Sequence, residues 1–219
     1  MHVKLQLALD DITLEDALRL TEQTAESVDI IEVGTPMVMS YGMEAVRQMR
    51  SHFPDKEILC DCKIMDAGGY EAQLALDAGA DCVTVLAVTD NRTIRDVADT
   101  AHACHGLVMA DMLCVQDIPA RIAALQRLGV DILGVHTGVD QQAEGRTPLE
   151  DLRLMRECAV NGKIAVAGGI NVDTVRAYLQ YRPEIIIVGG GICRAAHPAQ
   201  AAKALKESMR SFAEKRETR

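Results

Sequence analysis

Eight short, nearly continuous apolar runs recur along this chain, at residues 3–9, 28–33, 57–61, 81–86, 106–110, 131–135, 163–167 and 184–188. A run with no polar alternation is a strand covered on both faces, which is the habit of parallel sheets. Between the runs, apolar residues return at helical spacing, as in Leu14, Ala17 and Leu18, or Val115, Ile118, Ile122 and Leu125. Two of the helical stretches end alike: Ala78-Gly79-Ala80-Asp81 stands before Cys82, and Leu128-Gly129-Val130-Asp131 before Ile132. Glycine stops a helix there because it tolerates the left-handed conformation. At a helix start, Thr147-Pro148-Leu149-Glu150 has the form of a capping box with proline in the first helical position.

Eight strand–helix units in 219 residues predict an α/β chain folded as one closed (β/α)8 TIM barrel, toward the compact end of that fold's range. The rival is a doubly wound open sheet, which usually has fewer strands and a glycine-rich turn after the first one. Here the first strand ends at Leu9-Asp10-Asp11 instead. With no linker or composition shift, a single catalytic barrel domain is expected over residues 1–210. The charged residues 211–219 are expected to form a frayed tail.

Composition excludes several classes of partner. The formal charge of −9 disfavours nucleic acid and acidic membrane surfaces. No run is long enough to span a membrane, and the chain begins with the strand Val3-Lys4-Leu5-Gln6-Leu7 rather than a signal peptide, so a cytoplasmic location is the default expectation. Seven cysteines, an odd number spread over strands and helices, fit reduced thiols. Cys60-x-Cys62 has the wrong spacing for a zinc knuckle.

In such a barrel, catalytic groups stand where strands end and loops begin. Those places hold Asp10, Glu32, Asp61 with Lys63 and Asp66 in the pattern Asp-x-Lys-x-x-Asp, Asp111 and His136. Each has a plain alternative: Asp10 as a helix cap, Asp111 as a loop residue, His136 as a core histidine. Together they place carboxylates, an ammonium and an imidazole around one mouth. Glu32 and Asp61 suit a hard divalent ion, Mg²⁺ or equally Mn²⁺, which would hold a sugar carbonyl and hydroxyl and stabilise an enediolate. Lys63 would add positive charge there, kept protonated and oriented by Asp10 and Asp66. His136 is the best general base, with an ordinary pKa near working pH. Strands seven and eight end in Gly168-Gly169 and Gly189-Gly190-Gly191, whose backbone amides would take a phosphate, unless they are only tight turns.

With Leu5-Gln6-Leu7-Ala8-Leu9-Asp10, Asp29-Ile30-Ile31-Glu32-Val33-Gly34-Thr35-Pro36, Asp61-x-Lys63-Ile64-Met65-Asp66-Ala67-Gly68-Gly69, His136-Thr137-Gly138 and the closing glycines, the chain resembles the orotidine-monophosphate-decarboxylase-like barrels. Within them it resembles the 3-hexulose-6-phosphate synthases, over almost its whole length. The resemblance implies Mg²⁺ on Glu32 and Asp61, an enediolate stabilised by Lys63, and Asp66 reaching the neighbouring subunit's site in a homodimer. It implies an aldol condensation of formaldehyde with D-ribulose 5-phosphate, in which Asp111 assists proton transfer. The related 3-keto-L-gulonate-6-phosphate decarboxylases carry Glu after strand five, Arg three residues beyond the strand-six His, Thr before the strand-seven glycines and Arg after the first strand-eight glycine. Here those positions hold Asp111, Val139, Ala167 and Gly190, the synthase choices. Decarboxylation is the alternative activity, and a non-catalytic phosphosugar-binding barrel a further one.

Overall fold

The structure is a computed structural model describing residues 3–217 except 146, 160 and 161. Parallel strands β1 (Lys4–Leu9), β2 (Ile30–Val33), β3 (Glu57–Ile64), β4 (Cys82–Leu86), β5 (Leu107–Asp111), β6 (Ile132–His136), β7 (Lys163–Ala167) and β8 (Ile185–Val188) pair in sequence order. β8 returns to β1, with Lys4 beside Ile185 and Leu7 beside Val188, and closes the barrel. The expected (β/α)8 fold is therefore the one observed. Helices follow each strand: α1 (Leu14–Thr24), α2 (Thr35–Tyr41) and α3 (Met43–His52), α4 (Gly68–Asp77), α5 (Asn91–Ala103), α6 (Ile118–Arg127), α7 (Val139–Ala143) and α8 (Leu149–Cys158), α9 (Val175–Leu179), then α10 (Gly190–Cys193) and α11 (Pro198–Glu217).

Two shells of apolar packing explain the continuous runs. Alternate residues such as Leu5, Leu7, Ile31, Ile58 and Val83 face the helices, while Ile30, Leu59, Cys82, Met109, Ile132 and Ile185 fill the barrel. The two helix-ending glycines behave as expected, Gly79 at φ +105° and Gly129 at φ +89°.

The lower rim is stitched by a contact that recurs in each pair of units. An acidic residue ahead of an even strand accepts from the backbone N–H of the second residue of the preceding odd strand. Asp29 takes Leu5 N at 2.7 Å, Asp81 takes Ile58 N at 2.7 Å, Asp131 takes Val108 N at 2.9 Å and Glu184 takes Ile164 N at 2.7 Å. Each carboxylate also meets a basic side chain from a helix or its flank: Lys206, Arg50, His102 and Arg156 respectively. Amides beyond the reach of the sheet ladder are thereby satisfied by charge-assisted hydrogen bonds.

One local expectation, at the start of α8, is corrected. Pro148 is the N-cap of α8, not its first helical residue, and no side chain caps that helix. Past Gly168 and Gly169, Asn171 Oδ1 accepts from Asp173 N and Thr174 N in a turn, and α9 begins at Val175. α11 runs on through residue 217 and Phe212 packs against the core, while 218 and 219 of the expected tail 211–219 lie outside the described residues.

Candidate active site

The upper end of the barrel carries the ionisable set, because the inward-facing positions change from apolar to polar toward the strands' carboxyl ends. Ile30 gives way to Glu32, Leu59 to Asp61, Cys82 to Thr84, Met109 to Asp111 and Ile132, by way of Gly134, to His136. Glu32, Asp61 and Asp111 are all buried, which is costly for carboxylates unless partners surround them.

Asp61 has such partners. Its Oδ2 accepts from Lys63 Nζ at 2.5 Å and from Thr35 Oγ1 at 2.9 Å, and its Oδ1 from Thr84 Oγ1 at 2.7 Å. The expected meeting of Asp61 and Lys63 is thus present, but it does not come from simple strand alternation. β3 runs three residues past Asp61, the register with β4 shifts between Cys60 and Ile64, and Lys63 sits at φ +48°. A bulge with one left-handed lysine re-aims that side chain, the kind of local strain that is held at working sites. Thr84 Oγ1 also accepts from Lys63 N at 2.9 Å, so one hydroxyl fixes both the bulge and the carboxylate.

Lys63 Nζ lies 3.3 Å from Asp111 Oδ2, and the same oxygen is 2.9 Å from His136 Nδ1. Leu113 N donates to Asp111 Oδ1 at 2.9 Å. Burial raises the Asp111 carboxyl, but the hydrogen bond and charge of His136, with Lys63, outweigh it and hold the group below the usual range. Burial lowers His136, yet its bond to Asp111 wins and its pKa rises. Burial also lowers Lys63, but the charges of Asp61 and Asp111 keep it protonated.

Asp10 follows β1 beside Gly34, where an added Cβ would fall 2.1 Å from Asp10 Oδ1; only a residue without a side chain leaves room for that carboxylate. Asp10 does not cap α1, whose N-cap is Thr13. Burial and the negative charge of Asp61 raise its pKa. Gly189 is the neighbour from β8, its would-be Cβ 3.4 Å from Asp10 Oδ2. Gly168 and Gly169 both have positive φ, +121° and +66°. With Gly190 opening α10, these glycines bring bare backbone to the β7–β8 side of the mouth.

Glu32 receives Gln6 Nε2 at 2.6 Å. Burial, followed by the charges of Asp61 and Asp10, pushes its pKa up to about 8. A buried carboxylate held up by two neighbouring carboxylates has a deficit of positive charge, which a divalent cation would supply. Among the described residues no group of three or more His, Cys, Asp or Glu forms a closed metal cage. Two oxygen donors with open positions fit Mg²⁺ or Mn²⁺, which keep water and substrate oxygens as further ligands.

Asp66 is the expected site residue that this chain does not bring to its own cluster. It is exposed beyond β3 and lines a groove with Gly69, Tyr70, Arg92 and Asp96. Thr35, Thr84 and Gln6 escaped the reading from sequence, though Thr84 and Gln6 are polar residues inside otherwise apolar runs, which was the available signal.

The model of the orotidine 5'-phosphate decarboxylase / HUMPS family matches residues 3–205. The chain belongs to that family. It is 42% identical over 205 residues to a 3-hexulose-6-phosphate synthase of Bacillus subtilis (strain 168), covering 94% of this chain and 98% of the relative. A crystal structure of 3-hexulose-6-phosphate synthase from Salmonella typhimurium superposes with a TM-score of 0.94 at 46% identity, over 95% of this chain and 99% of that one. A crystal structure of 3-keto-L-gulonate-6-phosphate decarboxylase from Vibrio cholerae reaches a TM-score of 0.86 at 28% identity, over 97% of this chain and 99% of that one. No helix among the described residues is long and apolar enough to cross a membrane.

Proposed function

We propose that this chain is an aldehyde-lyase that joins formaldehyde to D-ribulose 5-phosphate, giving D-arabino-hex-3-ulose 6-phosphate in a reversible reaction. The observation that carries it is the line from Lys63, ion-paired to Asp111, to His136, hydrogen-bonded to the same carboxylate, set beside Asp61 in a chain so similar to named synthases. A divalent cation on Glu32 and Asp61 would supply counter-charge for the sugar's developing oxyanion. The neutral His136 ring, with Nδ1 bound to Asp111, takes a proton from C1 through Nε2. Lys63 balances the charge of the enediolate, whose carbon forms the new bond to formaldehyde, and the proton then passes to the new alkoxide. Asp111 holds the imidazolium between the two transfers. Backbone amides of Gly168, Gly169, Gly189 and Gly190 would hold the phosphate, with Asp10 beside them on the sugar.

Decarboxylation is disfavoured by Asp111, Ala167 and Gly190, where that activity uses Glu, Thr and Arg. The test mixes purified protein, Mg²⁺, D-ribulose 5-phosphate and formaldehyde. Formaldehyde loss well above the enzyme-free rate supports the proposal. Faster carbon dioxide release from 3-keto-L-gulonate 6-phosphate overturns it in favour of the decarboxylase, and substrate binding without turnover in favour of a binding barrel.

The working unit in this proposal is a homodimer with shared sites. Exposed Met39, Tyr41, Met65, Tyr70, Leu74 and Val88 belong to the second, third and fourth units, the stretch of chain that also carries Asp66, and exposed apolar side chains of this kind suit a self-complementary interface.

A further inference from the structure

Gln6 is the only polar residue of the β1 run KLQLAL that is fully buried. Its side chain stands inside the barrel between two different environments. Above it, Nε2 donates to Glu32 Oε2 at 2.6 Å. Below it is a cavity of about 200 Å³, lined by Gln6 with Leu59, Cys82, Met109, Ile132 and Ile185. Gln6 Oε1 is buried and has no hydrogen-bond partner in the protein.

A carboxylate only accepts hydrogen bonds, so the amide must turn its NH₂ toward ionised Glu32 and its carbonyl away from it. An amide oxygen left without a donor in an apolar barrel is destabilising, and a leucine or methionine would fill the same space without that cost. The arrangement makes physical sense if the amide's task lies at Glu32. A carboxylate with its negative neighbours Asp61 and Asp10 needs a fixed donor to hold one oxygen and leave the other aimed at the mouth.

We propose that Gln6 is a positioning residue that orients Glu32 for the divalent cation, and that water in the lower cavity donates to its carbonyl and braces it from beneath. This rests on the assignment of Glu32 as a cation ligand. The amide touches neither the substrate nor the cation; it acts through Glu32.

The test is Mn²⁺ binding to the metal-free protein, measured by calorimetry and by the loss of the free-ion electron spin resonance signal, with no substrate present. Gln6→Met keeps the length and removes the donor; Gln6→Asn keeps an amide but falls short of Glu32. Both should weaken Mn²⁺ binding by about 10-fold or more, as loss of a partner behind a metal ligand does. Thermal unfolding of the metal-free variants should stay close to wild type for Gln6→Met, where the buried carbonyl leaves together with the donor. Wild-type affinity in a folded Gln6→Met or Gln6→Asn protein overturns the positioning role while leaving the cation assignment intact. Failure of the wild-type protein to bind Mn²⁺ overturns both.

Discussion

His136 Nδ1 lies 2.9 Å from Asp111 Oδ2. Because the ionised carboxylate can only accept, Nδ1 carries the proton and the neutral ring keeps its basic lone pair on Nε2. Asp111 therefore chooses the tautomer and fixes the ring, while its other contact, with Lys63, ties the imidazole to the ammonium of the same cluster.

The pair predicts a pH profile. His136 is raised above the ordinary histidine value, so the free enzyme loses its neutral base at a higher pH than an exposed histidine would. The acidic limb of kcat/KM should lie above about 6.5. Asp111→Asn removes the bond that raises the pKa, so the limb should move down as the rate falls; an unmoved limb would assign it to another group. The pair's stability contribution follows from the same shifts. The raised His136 contributes below about 6.5 and loses that as pH climbs through its folded value, whereas the lowered Asp111 contributes above about 3.9 and loses that as pH falls through its folded value. Guanidinium melts of wild type against His136→Asn should therefore differ most between those two values.

Replacing the base itself should have a large effect. His136→Ala is expected to lower kcat by about 10²–10⁴-fold with far-ultraviolet circular dichroism unchanged. Retention of more than about a tenth of wild-type kcat would move the base elsewhere.

The metal pair makes a linkage prediction. Glu32 is pushed up to about 8 without a cation, so binding must displace its proton at neutral pH, and Mn²⁺ affinity should rise with pH and level off near that value. Glu32→Ala and Asp61→Ala should each abolish turnover while the barrel still melts cooperatively. Binding that is flat from pH 6 to about 9 would contradict the assignment.

At the lower rim, Glu184 Oε2 accepts from both Ile164 N and Arg156 Nη2 at 2.7 Å. Glu184→Ala leaves the amide and the guanidinium without that acceptor. A loss of about 1–3 kcal/mol in denaturant melts is expected, with KM unchanged because the site lies at the other end of the barrel. A change confined to KM would contradict the division of the barrel into a stabilising rim and a working rim.

Shared sites are tested by complementation. Asp61→Ala and Asp66→Ala should each be inactive as pure proteins. In a mixed dimer one site collects both lesions and the other has none, so exchange of subunits should restore activity toward about a quarter of wild type. Mixed dimers shown by mass spectrometry to form, yet without activity, would mean that each barrel builds its own site.

What the sequence determined by itself was the repeat and its consequences. Buried parallel strands print their environment as unbroken apolar runs, glycine marks helix ends, and ionisable residues at strand ends face one mouth once a barrel closes. Asp10, Glu32, Asp61, Asp111 and His136 were legible for that reason. Tertiary structure alone decided who pairs with whom. Asp111 and His136 are 25 positions apart, and Gln6 and Glu32 are 26 apart; each pair meets only because strand stagger brings different levels of neighbouring strands together. The left-handed turn at Lys63 depends on Thr84 across a shifted register, which no local pattern encodes. The end of the chain shows the same limit from the other side. α11 is seated by partners far away in sequence, among them Asp29, 177 positions from the Lys206 that donates to it.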